Sequence, residues 1–237
     1  MNFGSPKQSF KNYRIHAHVW IVYVHKCKIL DRKGKAKIVF NNTKLRNITN
    51  LIGFKSANVG NVVIGIDGLS GAGKSTLAQQ IVDSYENAIH IELDDFYRPY
   101  HATKGVRLSP KEICFRLFDW ERLRNDLLAP IAKGRAAIYQ RYDWVENRLL
   151  EQVEIPVSPI IVVEGVFGML PALRTFYNLK IYVETPENYR LGRINARGYP
   201  DRRWLNTWMA AENWYIQEIK PKDYVDLVIS GSTTRTK

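Results

Sequence analysis

Five short, almost wholly apolar runs limit what this chain can fold into: VVIGI (62–66), AIHIEL (88–93), IIVVEG (160–165), LKIYVE (179–184) and DLVIS (226–230). A run of this kind without polar alternation is a strand buried on both faces, and both faces are covered when helices cross over between parallel strands. The intervening stretches KSTLAQQIVDSYE (74–86), DWERLRNDLLAPIAKG (119–134) and DRRWLNTWMAAENWYIQEI (201–219) carry apolar residues at helical spacing. The expectation is an α/β fold of three layers with a mainly parallel five-stranded sheet. There is no internal repeat and no low-complexity tract.

Between the first run and the first helical stretch lies GIDGLSGAGKST (65–76), which fits G-x-x-x-x-G-K-[ST] from Gly68 through Gly73 and Lys74 to Ser75. A turn into a helix needs glycine, but it does not need Lys-Ser after it. Placed between a buried strand and a helix start, the amides from about Gly71 to Ser75 form a concave anion site with the helix N-terminus. The nucleotide-binding set is then Gly68, Ser70, Gly71, Ala72, Gly73, Lys74, Ser75 and Thr76. Lys74 would reach the β and γ phosphates, the Ser75 hydroxyl would ligate Mg²⁺, and Thr76 would assist at the α phosphate.

Charge divides the chain. Residues 1–60 hold 12 of its 35 Lys and Arg but only one of its 23 acids, Asp31, so nearly all of the net +12 belongs to that end. Residues 14–30 have strand composition, and DRKGK followed by AKIVF suggests a small hairpin up to residue 40. Residues 41–60 show neither sustained periodicity nor caps and read as a linker. The chain is divided accordingly into a basic extension, 1–60, and a main domain, 61–237. The two cysteines, Cys27 and Cys114, lie far apart without metal-site or disulfide spacing, which favours a reducing cytoplasm. The best N-terminal apolar run, VWIVYV (19–24), is far shorter than the roughly 20 residues of a bilayer span, so no membrane association is expected.

Two further acidic positions fall where an open α/β sheet gathers its ligands, beyond the carboxyl ends of strands. Glu164 closes IIVV, and the pair Asp94–Asp95 follows AIHIEL. Each could be a solvated strand end. As site residues, Glu164 would hold a metal beside the phosphates, and Asp94, expected beside the strand that feeds the loop, would take the proton from an acceptor hydroxyl or reach Mg²⁺ through water. A switch or motor would have no use for an acceptor pocket beside that acid.

GIDGLSGAGKST, DDFYRP (94–99), YDW (142–144), IIVVEGVF (160–167) and RLGRINARG (190–198), in this order and spacing, resemble the uridine kinase-like branch of the P-loop kinases, which also includes phosphoribulokinase and bacterial pantothenate kinase. The resemblance covers about residues 61–231. It implies a kinase using ATP or GTP with Mg²⁺ on a small-molecule hydroxyl, most simply that of a nucleoside. It also implies Asp94 as general base, Glu164 near Mg²⁺, and Tyr97, Tyr142 and Asp143 at the acceptor. In RLGRINARGYPDRR (190–203) it implies a lid over the transferred phosphate, with Arg193 and Arg197 as the arginine pair; a solvated basic helix face is the alternative.

The sequence also departs from the family. Where its nucleoside kinases carry a Phe-Asp-His-Pro type segment, this chain has RLFDWERL (116–123), in which Asp119 suits a helix N-cap better than an acceptor contact. Trp204 and Trp208 share a helix face with Ala211 and Glu212, which is packing spacing, although they could line an acceptor pocket. His90 reads as structural, and His101 lies in the loop after Asp94. Alternative acceptors are a sugar phosphate, a pantothenate-like molecule or a nucleotide. A different reading makes residues 1–60 a basic arm on nucleic acid, and a third makes them an alternative translation start. Oligomeric state is open, a homo-oligomer included.

Overall fold

The computed structural model describes residue 40 and residues 42–59, 61–99, 108–198 and 202–232. The hairpin expected over residues 14–40 lies outside these, apart from Phe40.

All five apolar runs become strands of one parallel sheet: β1 (Val62–Asp67), β2 (Ala88–Glu92), β5 (Ile160–Glu164), β6 (Leu179–Glu184) and β7 (Leu227–Ser230), in the order β2-β5-β1-β6-β7. β1 sits at the centre with all six residues buried. Its alternate side chains divide between two cores. Val62, Ile64 and Ile66 join Ile160 and Val162 on one face, whereas Val63 joins Ile161, Val163 and Ile91 on the other. Gly65 faces the second core, where an added Cβ would stand 2.4 Å from the Tyr177 ring, so the close approach requires glycine.

The first face is covered by α1 (Asn42–Val59) and α2 (Lys74–Val82). The second is covered by α3 (Pro110–Arg116), α4 (residues 120–132) and α7 (Arg202–Glu218), with an antiparallel hairpin of β3 (Ala137–Asp143) and β4 (Arg148–Ile155) against them. α5 (Pro171–Arg174) and α6 (Glu187–Ala196) complete the connections. The middle of α4, Leu123–Leu128, is π-helical. Pro130 follows it and cannot donate to the carbonyl four residues back, which favours the wider turn.

Helix α1 corrects the linker expected over residues 41–60. Leu45, Ile48 and Ile52 form an i, i+3, i+7 stripe against the sheet, with Ile48 and Ile52 fully buried. The stripe is narrow, Gly53 follows it directly, and the first turn carries no acid, so periodicity and capping signals were both weak. A second correction concerns strand order: β5 lies between β1 and β2, so Asp94 follows a strand one removed from β1, and Glu164 ends the strand beside it.

Candidate functional site

The loop from Gly68 to Gly73 turns on three glycines at positive φ: Gly68 at 148°, Gly71 at 76° and Gly73 at 108°. Gly73 is the N-cap of α2 and offers no side-chain oxygen. The first-turn amides of such a helix lack intrahelical partners and face outward as anion donors. Lys74 is buried, its Nζ donating to the Leu69 carbonyl at 3.3 Å. Ser75 and Thr76 follow in the first turn.

Strand register brings the acids to this loop. Glu164 is the Cα partner of Ile66 on one side and of Glu92 on the other. Because successive side chains alternate, His90, Glu92 and Glu164 share the sheet face that carries α2. Ligand atoms of these three lie within 4.8 Å of one another, with His90 Nε2 3.5 Å from Glu164 Oε1. Burial alone would push the Glu164 carboxyl up, but His90, Lys74 and a hydrogen bond from Ser75 together hold it below its ordinary value.

Asp94 opens the 3₁₀ turn Leu93–Phe96 directly after β2. Burial, then repulsion from Glu92 and Glu164, raises its pKa to about 8, against the pull of Lys74. Lys74, Ser75, Asp94 and Glu164 are thus brought together. Asp95 turns away: its carboxylate accepts from Tyr139 Oη at 2.8 Å and pairs with Arg141 Nε at 3.1 Å. Arg122 ties the same turn to the hairpin, donating to the carbonyls of Asp95, Tyr97 and Gln140.

Tyr97 and Tyr142 lie in a buried aromatic cluster. The Tyr97 ring centroid is 4.1 Å from Phe118, 4.4 Å from Trp144 and 6.1 Å from Tyr142. Tyr142 Oη donates to Asn147 Oδ1 at 2.9 Å, and Asp143 Oδ1 accepts from the amides of Val145 and Glu146 at 2.8 and 2.6 Å, closing the β3–β4 turn. Asp119 caps α4 as expected, accepting from the Arg122 amide at 3.2 Å, and also pairs with Arg98 at 3.2 Å. Trp208 is buried among these rings. Residues 100–107, His101 among them, lie outside the described residues.

Arg193, one of the two lid arginines that the resemblance implied, lies against the backbone of the loop. Its Nη1 donates to the carbonyls of Gly71 and Ala72 at 2.8 and 3.2 Å, and its Nη2 to Gly231 at 2.8 Å. Arg197 caps the C-terminus of α6 close enough to lower the Arg193 pKa, after burial, which is the larger cause. A cleft of about 300 Å³ opens beside the same Ala72 end of the loop, lined by Glu184, Thr185, Pro186, Ser230 and Ser232; Thr185 Oγ1 joins it to the loop by donating to the Ala72 carbonyl at 2.8 Å.

Two buried acids at the loop were not singled out from sequence. Asp67, fully buried, accepts from the Gly68 amide, the Met169 amide and the Tyr215 hydroxyl, and burial raises its pKa despite these bonds and Lys74. Glu212, 1% exposed, accepts from the Ser70 amide at 2.6 Å. The available signal for Glu212 was an acid on the apolar stripe of a helix.

Residues 63–236 match the profile of the phosphoribulokinase / uridine kinase family. A uridine kinase of Clostridium novyi (strain NT) is 32% identical over 183 residues, spanning 71% of this chain and 86% of that protein. One from Borrelia garinii subsp. bavariensis is 29% identical over 181 residues, spanning 70% and 85%. A solved structure described as a possible uridine kinase from Bacillus stearothermophilus superposes with a TM-score of 0.59 at 22% identity, covering 77% of this chain and 99% of that one, a likeness of fold.

Proposed function

The chain belongs to the phosphoribulokinase / uridine kinase family, and from that premise we propose that it transfers the γ-phosphate of ATP or GTP to a hydroxyl of a nucleoside. The observation that carries this reading is Asp94: a carboxyl whose pKa is raised to about 8, beside Lys74 and Glu164 at the mouth of the loop. A base with its pKa near working pH is suited to accept a hydroxyl proton during attack on phosphorus.

In this reading the loop amides and Lys74 hold the donor phosphates, and Lys74 offsets charge as the γ-phosphoryl moves. The cleft at Thr185 and Ser230 receives the donor's base and ribose. The donor set fits Mg²⁺: the Ser75 hydroxyl is bonded to Glu164, and the repulsion from Glu92 and Glu164 that adds to burial at Asp94 is what a dication would relieve. Ser75 and Glu164 would hold it, with Asp94 reached through water, and when bound it would neutralise phosphate charge. To the acceptor this reading assigns Tyr97, Tyr142 and Asp143, and to the segment that would close over the transferred phosphate it assigns Arg197.

A different small acceptor, such as a sugar phosphate, is the second reading. It is favoured by Trp120 and Glu121, which stand where the family's nucleoside kinases carry His-Pro, and by Asp119, which serves as a cap and as the partner of Arg98. No helix among the described residues is long and apolar enough to cross a membrane. The test is Mg²⁺-dependent ADP release with uridine, cytidine, other nucleosides, pantothenate and pentose phosphates, alongside Asp94→Asn. Turnover stimulated by one nucleoside and lost in the variant is expected. Slow hydrolysis indifferent to every acceptor would refute the proposal.

A further inference from the structure

Three consecutive carbonyls of the loop point at arginines from one helix. Arg190 Nη1 donates to the Ser70 carbonyl at 3.1 Å, and Arg193 Nη1 donates to those of Gly71 and Ala72 at 2.8 and 3.2 Å. A trans peptide is planar, so a carbonyl turned outward sends the next residue's N–H the opposite way. Fixing the carbonyls of residues 70 and 72 therefore aims the amides of Gly71 and Gly73 inward, the arrangement that makes an anion nest.

A second helix holds the first in place. On α7, Trp208, Glu212 and Tyr215 lie at i, i+4 and i+7, and all three are buried. Glu212 Oε1 accepts the Ser70 amide at 2.6 Å, and its Oε2 lies 3.6 Å from Arg190 Nη1. Trp208 Nε1 donates to Ser70 Oγ at 2.9 Å and to Glu212 Oε1 at 3.1 Å, and Tyr215 Oη donates to Asp67. Arg190 and Glu212 are 5% and 1% exposed. A buried ion pair contributes little net stability but strongly disfavours arrangements that separate it, so this one selects a single placement of α6, α7 and loop.

We propose that Arg190, Arg193 and Glu212 form an outer brace that presets the loop amides for a polyphosphate, acting as positioning residues rather than touching the transferred group. The proposal rests on the reading of the loop as the donor site. It separates Arg193 from the role of a charge-neutralising lid arginine, because a brace acts on binding of the diphosphate, whereas a lid arginine acts on the transition state.

The experiment compares full-length wild type with Arg193→Met, which keeps the unbranched apolar stem and removes the guanidinium, and Glu212→Gln, which keeps length and shape. Hydrogen exchange of the loop amides is read without nucleotide, MgADP affinity by calorimetry, and kcat at saturating donor. Losing a hydrogen bond to a charged group corresponds to about tenfold or more. Arg193→Met is expected to exchange its loop amides at least about tenfold faster, with sheet amides unchanged, and to bind MgADP about tenfold more weakly, while kcat stays within about threefold. Glu212→Gln moves the same way, and it decides the matter alone if Arg193→Met does not fold.

Unchanged loop exchange, a faster loop with unaltered MgADP affinity, or exchange accelerated equally throughout the sheet would overturn the brace. So would unaltered MgADP binding with a kcat lowered about a hundredfold, which would return Arg193 to the transferred phosphate. A wild type that binds no nucleotide would overturn the donor-site reading instead, and the exchange comparison would still decide whether the brace holds the loop.

Discussion

Replacing Asp94 by asparagine is expected to make the nucleotide-free protein more stable at alkaline pH while destroying its activity. Burial is the larger cause of its raised pKa, and the carboxylates of Glu92 and Glu164 add to it, so that a group with an ordinary value of 3.8 titrates at about 8. Folding therefore tightens proton binding at Asp94. The stability this gives is complete below about pH 4 and is lost as pH rises through about 8. At 1.36 kcal/mol per pH unit, holding the ionised carboxylate costs on the order of 5 kcal/mol above pH 8, reduced to about half by solvent at the open side of the site. Asparagine never ionises, so its advantage over the wild type grows from near zero at pH 4 to roughly 2–5 kcal/mol at pH 8.5. For a domain of this size that is about 5–15 °C in Tm. Thermal melts of both proteins at half-unit steps from pH 4 to 9, without nucleotide or metal, measure it directly. Parallel curves would refute the argument, because they would mean that neither burial nor the neighbouring acids raise Asp94 on folding. Turnover by the variant is expected to fall by about 10²–10⁴.

Mg²⁺ should raise the Tm of the wild type at pH 8 and have little effect on Glu164→Gln, as read by the same melts. Gly231→Ala would set a Cβ 2.2 Å from the Ala72 carbonyl and 2.5 Å from Thr185 Oγ1; we expect a loss of about 1–3 kcal/mol and weaker nucleotide binding, measured by melting and calorimetry. Gly192→Ala, on α6 with nothing within 4 Å of the new Cβ, should instead gain about 0.5–1 kcal/mol without altering affinity. Asp119→Ala should cost about 1 kcal/mol through the lost cap; an acceptor KM that rises more than about tenfold in the folded variant would show that Asp119 touches substrate as well.

What the sequence disclosed depended on whether a residue's environment could be inferred from its neighbours in the chain. The five sheet strands were legible because burial on both faces leaves an uninterrupted apolar run. The loop was legible because its glycines and Lys74 stand side by side. α1 was not, since three apolar residues ahead of Gly53 make a faint stripe. Nor was the β3–β4 hairpin, whose outward residues, among them Gln140, Arg141 and Glu151, mask its alternation. Asp67 and Glu212 looked like ordinary acids; their burial arises only when α7 is laid against the loop, a contact between residues about 140 positions apart. Arg193 has the spacing of a lid arginine, and spacing alone does not say toward which side of the loop it points.

The central position of β1 has a consequence for synthesis. Its two sheet neighbours are β5 and β6, which pair with it through Ile160–Glu164 and Leu179–Tyr182. The strand that feeds the loop therefore leaves the ribosome with neither neighbour in existence. Translation at about 5–20 residues per second leaves that apolar segment unpaired on both edges for roughly 5–20 s. A nascent chain that stalls before residue 160 carries the whole glycine-rich loop but neither sheet partner of the strand that feeds it, and leaves both edges of VVIGID without their native pairing.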